Sequence, residues 1–379
     1  MRNHFHNRII LVTGGAGSFG RLIVRRLLKD EPGVVRVYSR DESKHFEMQH
    51  EMLAGSRLNG NGVKNLRFLV GDVRDRERLL RAMEGVEVVY HAAGLKHVVS
   101  CEYNPFEAVK TNIIGTQNVI DTAMAVNAEK VIFTSTDKAV NPCNTMGASK
   151  LMAERLMSAA NQYRGSHRTI FATVRFGNVL GSRGSVVPHF LKQLRAERRI
   201  TVTDPAMTRY VMKPDDTVEL VLKATGLAQG GEIFILKMPA LRIGDLAEVI
   251  VDEYCRCEGI AVRDINIDVI GALPGEKLCE ELMTEVEHER AAELPDMFVV
   301  EPPLADRIDA DYSYPKAIPP SVKRYTSNDA ALLSKDEIRA MLAESDIFSK
   351  KIEYDEVPDN GRGGLHRAVA GQGTVRTRL

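Results

Sequence analysis

The chain has 379 residues, with 51 Lys+Arg against 51 Asp+Glu and a formal net charge of zero. That length holds two to three domains and a large core. The charge balance excludes nucleic acid or an anionic membrane surface as the main partner. No apolar run reaches the roughly 18–20 residues needed to span a bilayer.

The N-terminal stretch MRNHFHNRIILVTGG passes from a short polar lead into an apolar run ending in glycines, which predicts a strand and a loop rather than a signal peptide. Apolar runs of strand length follow in chain order at 8–13, 34–38, 66–70, 86–91, 130–135 and 170–176. Helical patterns separate them at 19–29, 43–53, 75–83, 105–126 and 146–163. Alternating elements with continuously apolar strands predict an α/β fold, a doubly wound parallel sheet of Rossmann type. After residue 180 the rhythm loosens. Helices are expected at 186–196, 215–226, 243–258, 276–283 and 334–345, and short strands at 200–203, 233–237 and 265–270. We therefore expect a dinucleotide-binding domain over 1–180 and a smaller substrate lobe over 181–349, partly interleaved with the first. The segment 350–379 lacks apolar periodicity, is rich in Gly and Arg, and reads as a disordered tail.

Five cysteines without a CxxC pair give neither a disulfide framework nor a zinc site, so no metal is expected and a reducing cytoplasm is the natural compartment. His91 and His97 lack acidic or thiol partners in sequence and read as structural.

The first strand runs into Gly14-Gly15-Ala16-Gly17-Ser18-Phe19-Gly20, and a helix follows. Glycines at 14, 17 and 20 permit a tight turn and close backbone approach, so that a pyrophosphate sits on the helix N-terminus. The second strand ends in Ser39-Arg40-Asp41. An acidic side chain there suits a free ribose 2′-hydroxyl and an arginine suits a 2′-phosphate; Ser39 and Arg40 precede Asp41, which favours NADP over NAD. Asp72 and Val73 close the third strand, with Asp72 placed to accept from an adenine amino group. Ala92, Ala93 and Gly94 close the fourth with small residues that let backbone approach the cofactor. The fifth ends in Ser135-Thr136-Asp137-Lys138, and Met146-Gly147-Ala148-Ser149-Lys150 opens the next helix.

These motifs resemble the extended short-chain dehydrogenase/reductase family. Together with YSRDE, GDVRD, HAAGLKHV, NPFEAVKTNIIGT, STDKAVNP, RFGNVLGSRGSVVP, TDPAMTRY and PGEKL, they resemble the bacterial UDP-N-acetylglucosamine 4,6-dehydratases from about Arg8 to Ser345. The family at large pairs a catalytic tyrosine with a lysine four residues on. Here Met146 stands at the tyrosine position and Lys150 is retained; a thioether has no titratable proton and cannot be the base. Met occurs at this position in one branch of these dehydratases, including capsule-type enzymes.

The resemblance implies dehydration of UDP-N-acetylglucosamine for surface polysaccharide synthesis, with inversion favoured over retention at carbon 5, by a homo-oligomer between dimer and hexamer; NADP is the cofactor that Ser39 and Arg40 favour. It implies that Asp137 protonates the departing carbon-6 hydroxyl, that Lys138 takes the carbon-5 proton, and that Thr136 bonds the carbon-4 hydroxyl. Lysine serves as a base only where its pKa falls well below the usual 10.4 or so. Asp137 is the candidate to relay the carbon-4 hydroxyl proton in place of tyrosine. Asn178, Arg183, Ser185, Arg209, Glu276 and Lys277 are implied to hold the nucleotide diphosphate, and Lys96 to reach the sugar or diphosphate. Two other readings are a UDP-sugar 4-epimerase on the same fold and a non-catalytic NADP-binding regulator, the latter suggested by Met146.

Overall fold

A computed structural model describes residues 4–59, 64–182, 184–272, 275–345 and 348, without the side chains of 54–59. The expected disordered tail and Arg183 lie outside the described residues. The predicted strands form as β1 Ile9–Thr13, β2 Val34–Ser39, β3 Leu66–Val70, β4 Val88–His91, β5 Lys130–Thr136 and β6 Ile170–Phe176. Among them run α1 Ser18–Leu27, α2 Glu42–Asn59, α3 Arg76–Met83, α4 Val98–Tyr103, α5 Pro105–Ala108, α6 Gly115–Ala125 and α7 Thr145–Tyr163. Beyond β6 come β7 Asn178–Val179, α8 Val186–Glu197, β8 Arg199–Val202, β9 Thr208–Met212, α9 Pro214–Leu227 and β10 Ile233–Leu236. The chain continues through β11 Ala240–Arg242, α10 Ile243–Glu258, β12 Asn266–Val269, β13 Glu281–Met283 and α11 Glu285–His288. It closes with β14 Ala291–Glu293, β15 Met297–Val300, β16 Tyr325–Thr326 and α12 Lys335–Glu344.

The large sheet has the order β14-β15-β10-β6-β5-β4-β1-β2-β3. Strands β1 to β6 and β10 run parallel, and β15 and β14 add antiparallel at one edge. The 3-2-1-4-5-6 arrangement is the doubly wound Rossmann order, with its switch point between β1 and β4. Alternate residues serve opposite faces. Ile10, Val12 and Ile132 pack with Ile23 and Leu27 of α1 and Val218 and Val221 of α9, whereas Leu11, Val131 and Phe133 pack with Leu79 of α3, Val119 of α6 and Met157 of α7. Helices on both faces are why the strand sequences read as unbroken apolar runs.

Beyond residue 180 the chain does not stay apart from the first sheet. Strands β10, β14 and β15 return to the first sheet, because Ile233, Phe234, Phe298 and Val299 bury against the β6 edge. The second core gathers Phe190 and Leu194 of α8, Ile200 and Val202 of β8, Leu246 and Ile250 of α10, and Ile338 and Leu342 of α12. A capping box starts α12: Ser334 accepts from the Glu337 backbone N–H while Glu337 accepts from that of Ser334.

Two helices differ from expectation. The stretch predicted as one helix from 105 to 126 contains a π-helical turn at Val109–Ile114, where Gly115 meets Val73 so closely that a Cβ would lie 2.7 Å from Val73 Cγ2. The helix expected at 276–283 is a loop leading into β13. Its backbone is spent elsewhere, because the Leu278 carbonyl accepts from the Thr208 N–H at 3.0 Å and the Glu280 carbonyl from the Ser327 N–H at 2.8 Å.

Candidate functional site

The glycine turn joins β1 to α1 with Gly14 at φ +65°. A Cβ at Gly14 would lie 2.7 Å from the Ala93 nitrogen, and one at Gly20 would collide with the Gly14 carbonyl. Gly17 is the N-cap of α1 and supplies no side-chain cap, so the amides at Ser18 and beyond start the helix without one, and its first turn has no acidic residue. Phe19 packs at a 44° tilt against Phe176, with 4.8 Å between ring centroids. Ala92 donates its N–H to the Thr13 carbonyl at 3.1 Å, which holds the small-residue loop after β4 against the turn. An uncapped helix start beside a glycine cradle fits a dinucleotide pyrophosphate.

At the end of β2, Asp41 is committed locally. Its carboxylate accepts from the Lys44 backbone N–H at 3.1 Å and pairs with the Lys44 ammonium, whose hydrogen bond holds the carboxyl below its usual range. Arg40 is 57 % exposed and 3.6 Å from Asp72. Asp72 takes its closer partner from Arg74 at 2.7 Å; burial alone would raise its pKa, but the Arg74 bonds hold it down. Ser39 accepts from the Asp41 N–H at 3.3 Å.

His91, fully buried, lies between the Thr13 hydroxyl at 2.7 Å and the Thr116 hydroxyl at 3.0 Å. Burial and then Lys150 push its pKa down to about 3, so it is neutral. Lys150 donates to the Thr134 carbonyl at 3.0 Å and lies 4.4 Å over the Phe133 ring. Burial pushes its ammonium down to about 8. A Cβ on Gly94 would lie 3.1 Å from Asn112 Oδ1 and 3.3 Å from Lys150 Nζ, so a side chain there would make both give way by a few tenths of an ångström. Met146, in the first turn of α7, is buried with Cys101 and Ala108, against Leu95 and Val98.

The carboxyl end of β5 holds the densest polar group. Thr136 donates its hydroxyl proton to Asp137 Oδ1 at 2.7 Å, and the Lys138 N–H donates to the same oxygen at 2.9 Å. Asp137 is fully buried, and its Oδ2 has no hydrogen-bond partner among the described residues. Lys138 Nζ stands 3.0 Å from Asp137 Oδ1 and 3.5 Å from Glu280 Oε1, and Arg209 Nε is 3.6 Å from the same Glu280 oxygen. Burial would lower the Lys138 pKa, but Asp137 and Glu280 outweigh it and raise it. The lowered value expected for a lysine base is therefore not met.

Lys138, Arg209 and Glu280 of this group line a cleft of about 440 Å³, within the range of small-molecule sites, and Thr136 and Asp137 lie behind them, outside its lining. Lys138, Asn178, Ser185, Arg209, Glu276 and Lys277 all line it. Asn178 comes from β7, Ser185 from the N-cap of α8 and Arg209 from β9. Lys277 donates to the Val140 carbonyl at 2.7 Å, tying its loop to the segment after Lys138. Lys96 is exposed in the loop after β4 and is not among the lining residues. Tyr210 and Glu280 line the cleft and were not singled out in the sequence reading. Tyr210 adjoins Arg209 and is buried with its hydroxyl unpartnered among the described residues, and Glu280 lay in a segment read as a helix. Asn112 is a third omission, in a supporting role. It accepts from the Leu95 N–H at 2.7 Å and donates to Ser149 Oγ at 2.8 Å, joining the β4 loop to α7. Among the described residues, no group of three His, Cys, Asp or Glu side chains is placed to hold a metal ion, and no helix is long and apolar enough to cross a membrane.

The sheet order, the glycine turn and the cleft at the strand ends define an extended short-chain dehydrogenase/reductase of Rossmann type. Residues 10–302 match the polysaccharide biosynthesis protein family, and the chain belongs to it. The chain is 50% identical over 342 residues to an uncharacterised membrane protein of Methanocaldococcus jannaschii, covering 90% of this chain and 97% of that one. It is 37% identical to a UDP-glucose 4-epimerase of Rickettsia rickettsii, covering 92% and 99%. It is 41% identical to an inverting UDP-N-acetylglucosamine 4,6-dehydratase of Campylobacter jejuni, covering 79% and 84%. The solved structure of Pen from Bacillus thuringiensis superimposes with a TM-score of 0.81 at 44% identity, covering 91% of this chain and 99% of that one.

Proposed function

We propose that this chain is a UDP-N-acetylglucosamine 4,6-dehydratase that uses NADP, inverts carbon 5, and works as a cytoplasmic homo-oligomer in surface polysaccharide synthesis. The observation that carries the reading is Asp137: a fully buried carboxyl whose Oδ2 has no hydrogen-bond partner among the described residues, bonded to Thr136 and paired with Lys138, which lines the cleft. Elimination of the carbon-6 hydroxyl needs an acid, and a 4-epimerase has no such step.

The cofactor would be held by the turn of Gly14, Gly17, Ser18, Phe19 and Gly20, by Ser39 and Arg40, by Asp72 and Val73, by Ala92, Ala93 and Gly94, and by Lys150. Its nicotinamide supplies a reversible hydride acceptor. Commitment of Asp41 to Lys44 and exposure of Arg40 support a 2′-phosphate over a free 2′-hydroxyl. Thr136 fixes the orientation of Asp137. Asp137 takes the carbon-4 hydroxyl proton and later gives it to the departing carbon-6 hydroxyl. The lysine after it carries the positive charge that this region of the cleft needs when an oxyanion forms at carbon 4. Asn178, Ser185, Arg209, Glu276 and Lys277 hold the nucleotide diphosphate, Arg209 with a planar fork suited to phosphate oxygens.

Incubation with UDP-N-acetylglucosamine and mass spectrometry tests the proposal, with loss of one water as the expected result. The coverage of the Rickettsia epimerase, 92% of this chain against 79% for the Campylobacter dehydratase, favours 4-epimerisation as the second reading. An epimerase leaves the mass unchanged and alters only the sugar. Neither product would leave a cofactor-binding regulator.

A further inference from the structure

A second concavity lies at the amino-terminal edge of the large sheet. It holds about 510 Å³, within the range of small-molecule sites, and Ile170, the first residue of β6, lines it. The cleft lies at the opposite, carboxyl edge. Strand β6 runs 7 residues from Ile170 to Phe176, so about 20 Å separates the groove from that edge. Arg164, Arg168 and Arg307 line the groove with His167, and Asp309 is its one acidic lining residue. Among the described residues, neither the three guanidiniums nor Asp309 forms an ion pair. Arg164 is the C-cap of α7, where a cation complements the carbonyl pole of the helix. That role does not account for Arg168 in the loop beyond, or for Arg307, which arrives from a short turn after β15.

Buried side chains hold the walls of the groove. Asn161, 4% exposed, accepts from the Phe171 N–H at 3.0 Å and donates to the Phe171 carbonyl at 2.9 Å, which pins the end of α7 to β6. Glu232, fully buried, accepts from the Gln229 and Gly230 N–H groups and from the Tyr314 hydroxyl. Gly230 in turn packs on Asn161, where a Cβ would lie 2.8 Å from Asn161 Oδ1. In the loop between α7 and β6, the His167 N–H donates to the Arg164 carbonyl at 3.0 Å, and the His167 ring meets Asn127 Oδ1 at 2.9 Å. Arg164 donates to the Thr169 carbonyl at 3.0 Å through one terminal nitrogen, and its other donors make no bond among the described residues. Cations without counter-charges, on loops fixed before any ligand arrives, form a preorganised anion site.

We infer that this groove binds a phosphate-bearing small molecule, either free diphosphate or the diphosphate of a nucleotide, through Arg164, Arg168 and Arg307. Guanidinium forks match phosphate oxygens two at a time, and three of them suit a multiply charged anion better than a lone carboxylate. The groove is a strand length from the cleft, so its ligand is an effector and not a substrate. The inference is independent of the reaction assigned to the cleft.

The test uses the full chain saturated with NADP and UDP, which fill the glycine turn and the cleft, and titrates inorganic diphosphate by calorimetry. One further diphosphate per chain is expected to bind. The double variant Arg168→Ala/Arg307→Ala changes two exposed side chains that form no ion pair. Its melting temperature should stay at the wild-type value while diphosphate weakens by about tenfold or more, as loss of charged hydrogen bonds requires. Asp309→Asn removes the opposing charge and should tighten diphosphate. ADP in place of diphosphate distinguishes the two sources: tighter binding of ADP marks a nucleotide, binding no tighter marks the free anion, and either supports the site. Saturated wild type that takes up no diphosphate overturns the inference. So does a double variant that binds within about twofold of wild type. Sulfate bound as tightly as diphosphate also overturns it, because that marks exposed charge without a built site.

Discussion

Met146 is 2% exposed and shares its small apolar cluster with Cys101 and Ala108, so its thioether fills space where relatives at large carry a titratable phenol. Truncation to alanine removes packing and no proton. Met146→Ala is therefore expected to keep turnover within about tenfold and to cost about 2–5 kcal/mol of stability, the range for emptying a buried site of this size. Asp137→Asn keeps the shape and removes the acid, and its loss of water elimination should reach about 10²–10⁴-fold with little change in melting temperature. Steady-state rates beside thermal denaturation separate the two, and equal loss of rate in both would give Met146 a chemical role. Arg40 is a third case at this scale. Its guanidinium lies 3.6 Å from Asp72, a carboxylate that Arg74 already holds at 2.7 Å. Arg40→Ala should weaken NADP by about 1.5–3 kcal/mol, the worth of a charged hydrogen bond, and leave NAD nearly unaffected. Titration of both cofactors reads this directly, and equal loss for both removes Arg40 from the 2′-phosphate site.

Between elements, Arg175 makes the tie that keeps the site in register. It is fully buried on β6, with Glu154 of α7 at 2.7 Å, Glu287 of α11 at 2.9 Å, and the Leu282 carbonyl of β13 at 2.8 Å. One guanidinium thus connects the helix that carries Met146 and Lys150 to the segment that carries Glu280. Arg175→Met leaves two buried carboxylates without their cation and should cost about 3–5 kcal/mol. Burial alone would raise the Glu287 pKa, but Arg175 outweighs it and holds the carboxyl below its ordinary value. Its folded pKa is depressed, so its contribution is present above the unfolded value of about 4.3 and is lost as pH falls through the folded one. Denaturant melts of wild type and Arg175→Met should then converge as pH drops below about 4, and a constant gap down to pH 2 or so would remove Glu287 from the tie. The same tie explains what the sequence reveals and what it hides. The strands β1 to β6 are readable because burial on both faces makes each an unbroken apolar run. The glycine turn and the Thr136-Asp137-Lys138 strand end are readable because backbone approach and proton transfer demand particular residues at contiguous positions. Glu280 is not, because its loop is held by Thr208 and Ser327, about seventy residues before it and about fifty after, and the local pattern of apolar and charged residues mimics a helix face.

Over the whole molecule, two cores meet at one cleft. The nine-stranded sheet contributes Lys138 at the end of β5, and the second core positions Ser185 on α8 and anchors β9, which carries Arg209. The small sheet β11-β9-β7 joins the two, with Tyr210 and Ala240 in the first core and Val211 and Leu241 in the second, and the Lys277 contact to Val140 adds a loop link. A ligand that fills the cleft therefore bridges both cores and stabilises the folded state as a unit. UDP alone, without the sugar, reads this without any chemistry. At a hundred times its dissociation constant it adds about 2.7 kcal/mol to folding. An unfolding entropy of about 2.1 cal/mol/K per residue gives about 0.8 kcal/mol/K for a chain of 379 residues, so the melting temperature should rise by about 3 °C. Lys138→Met touches the sugar end and should keep that rise, whereas Arg209→Ala removes the planar cation assigned to the diphosphate and should abolish most of it. A UDP shift that survives Arg209→Ala places the diphosphate elsewhere in the cleft, and a wild-type protein unmoved by UDP is not a nucleotide-sugar enzyme of this design.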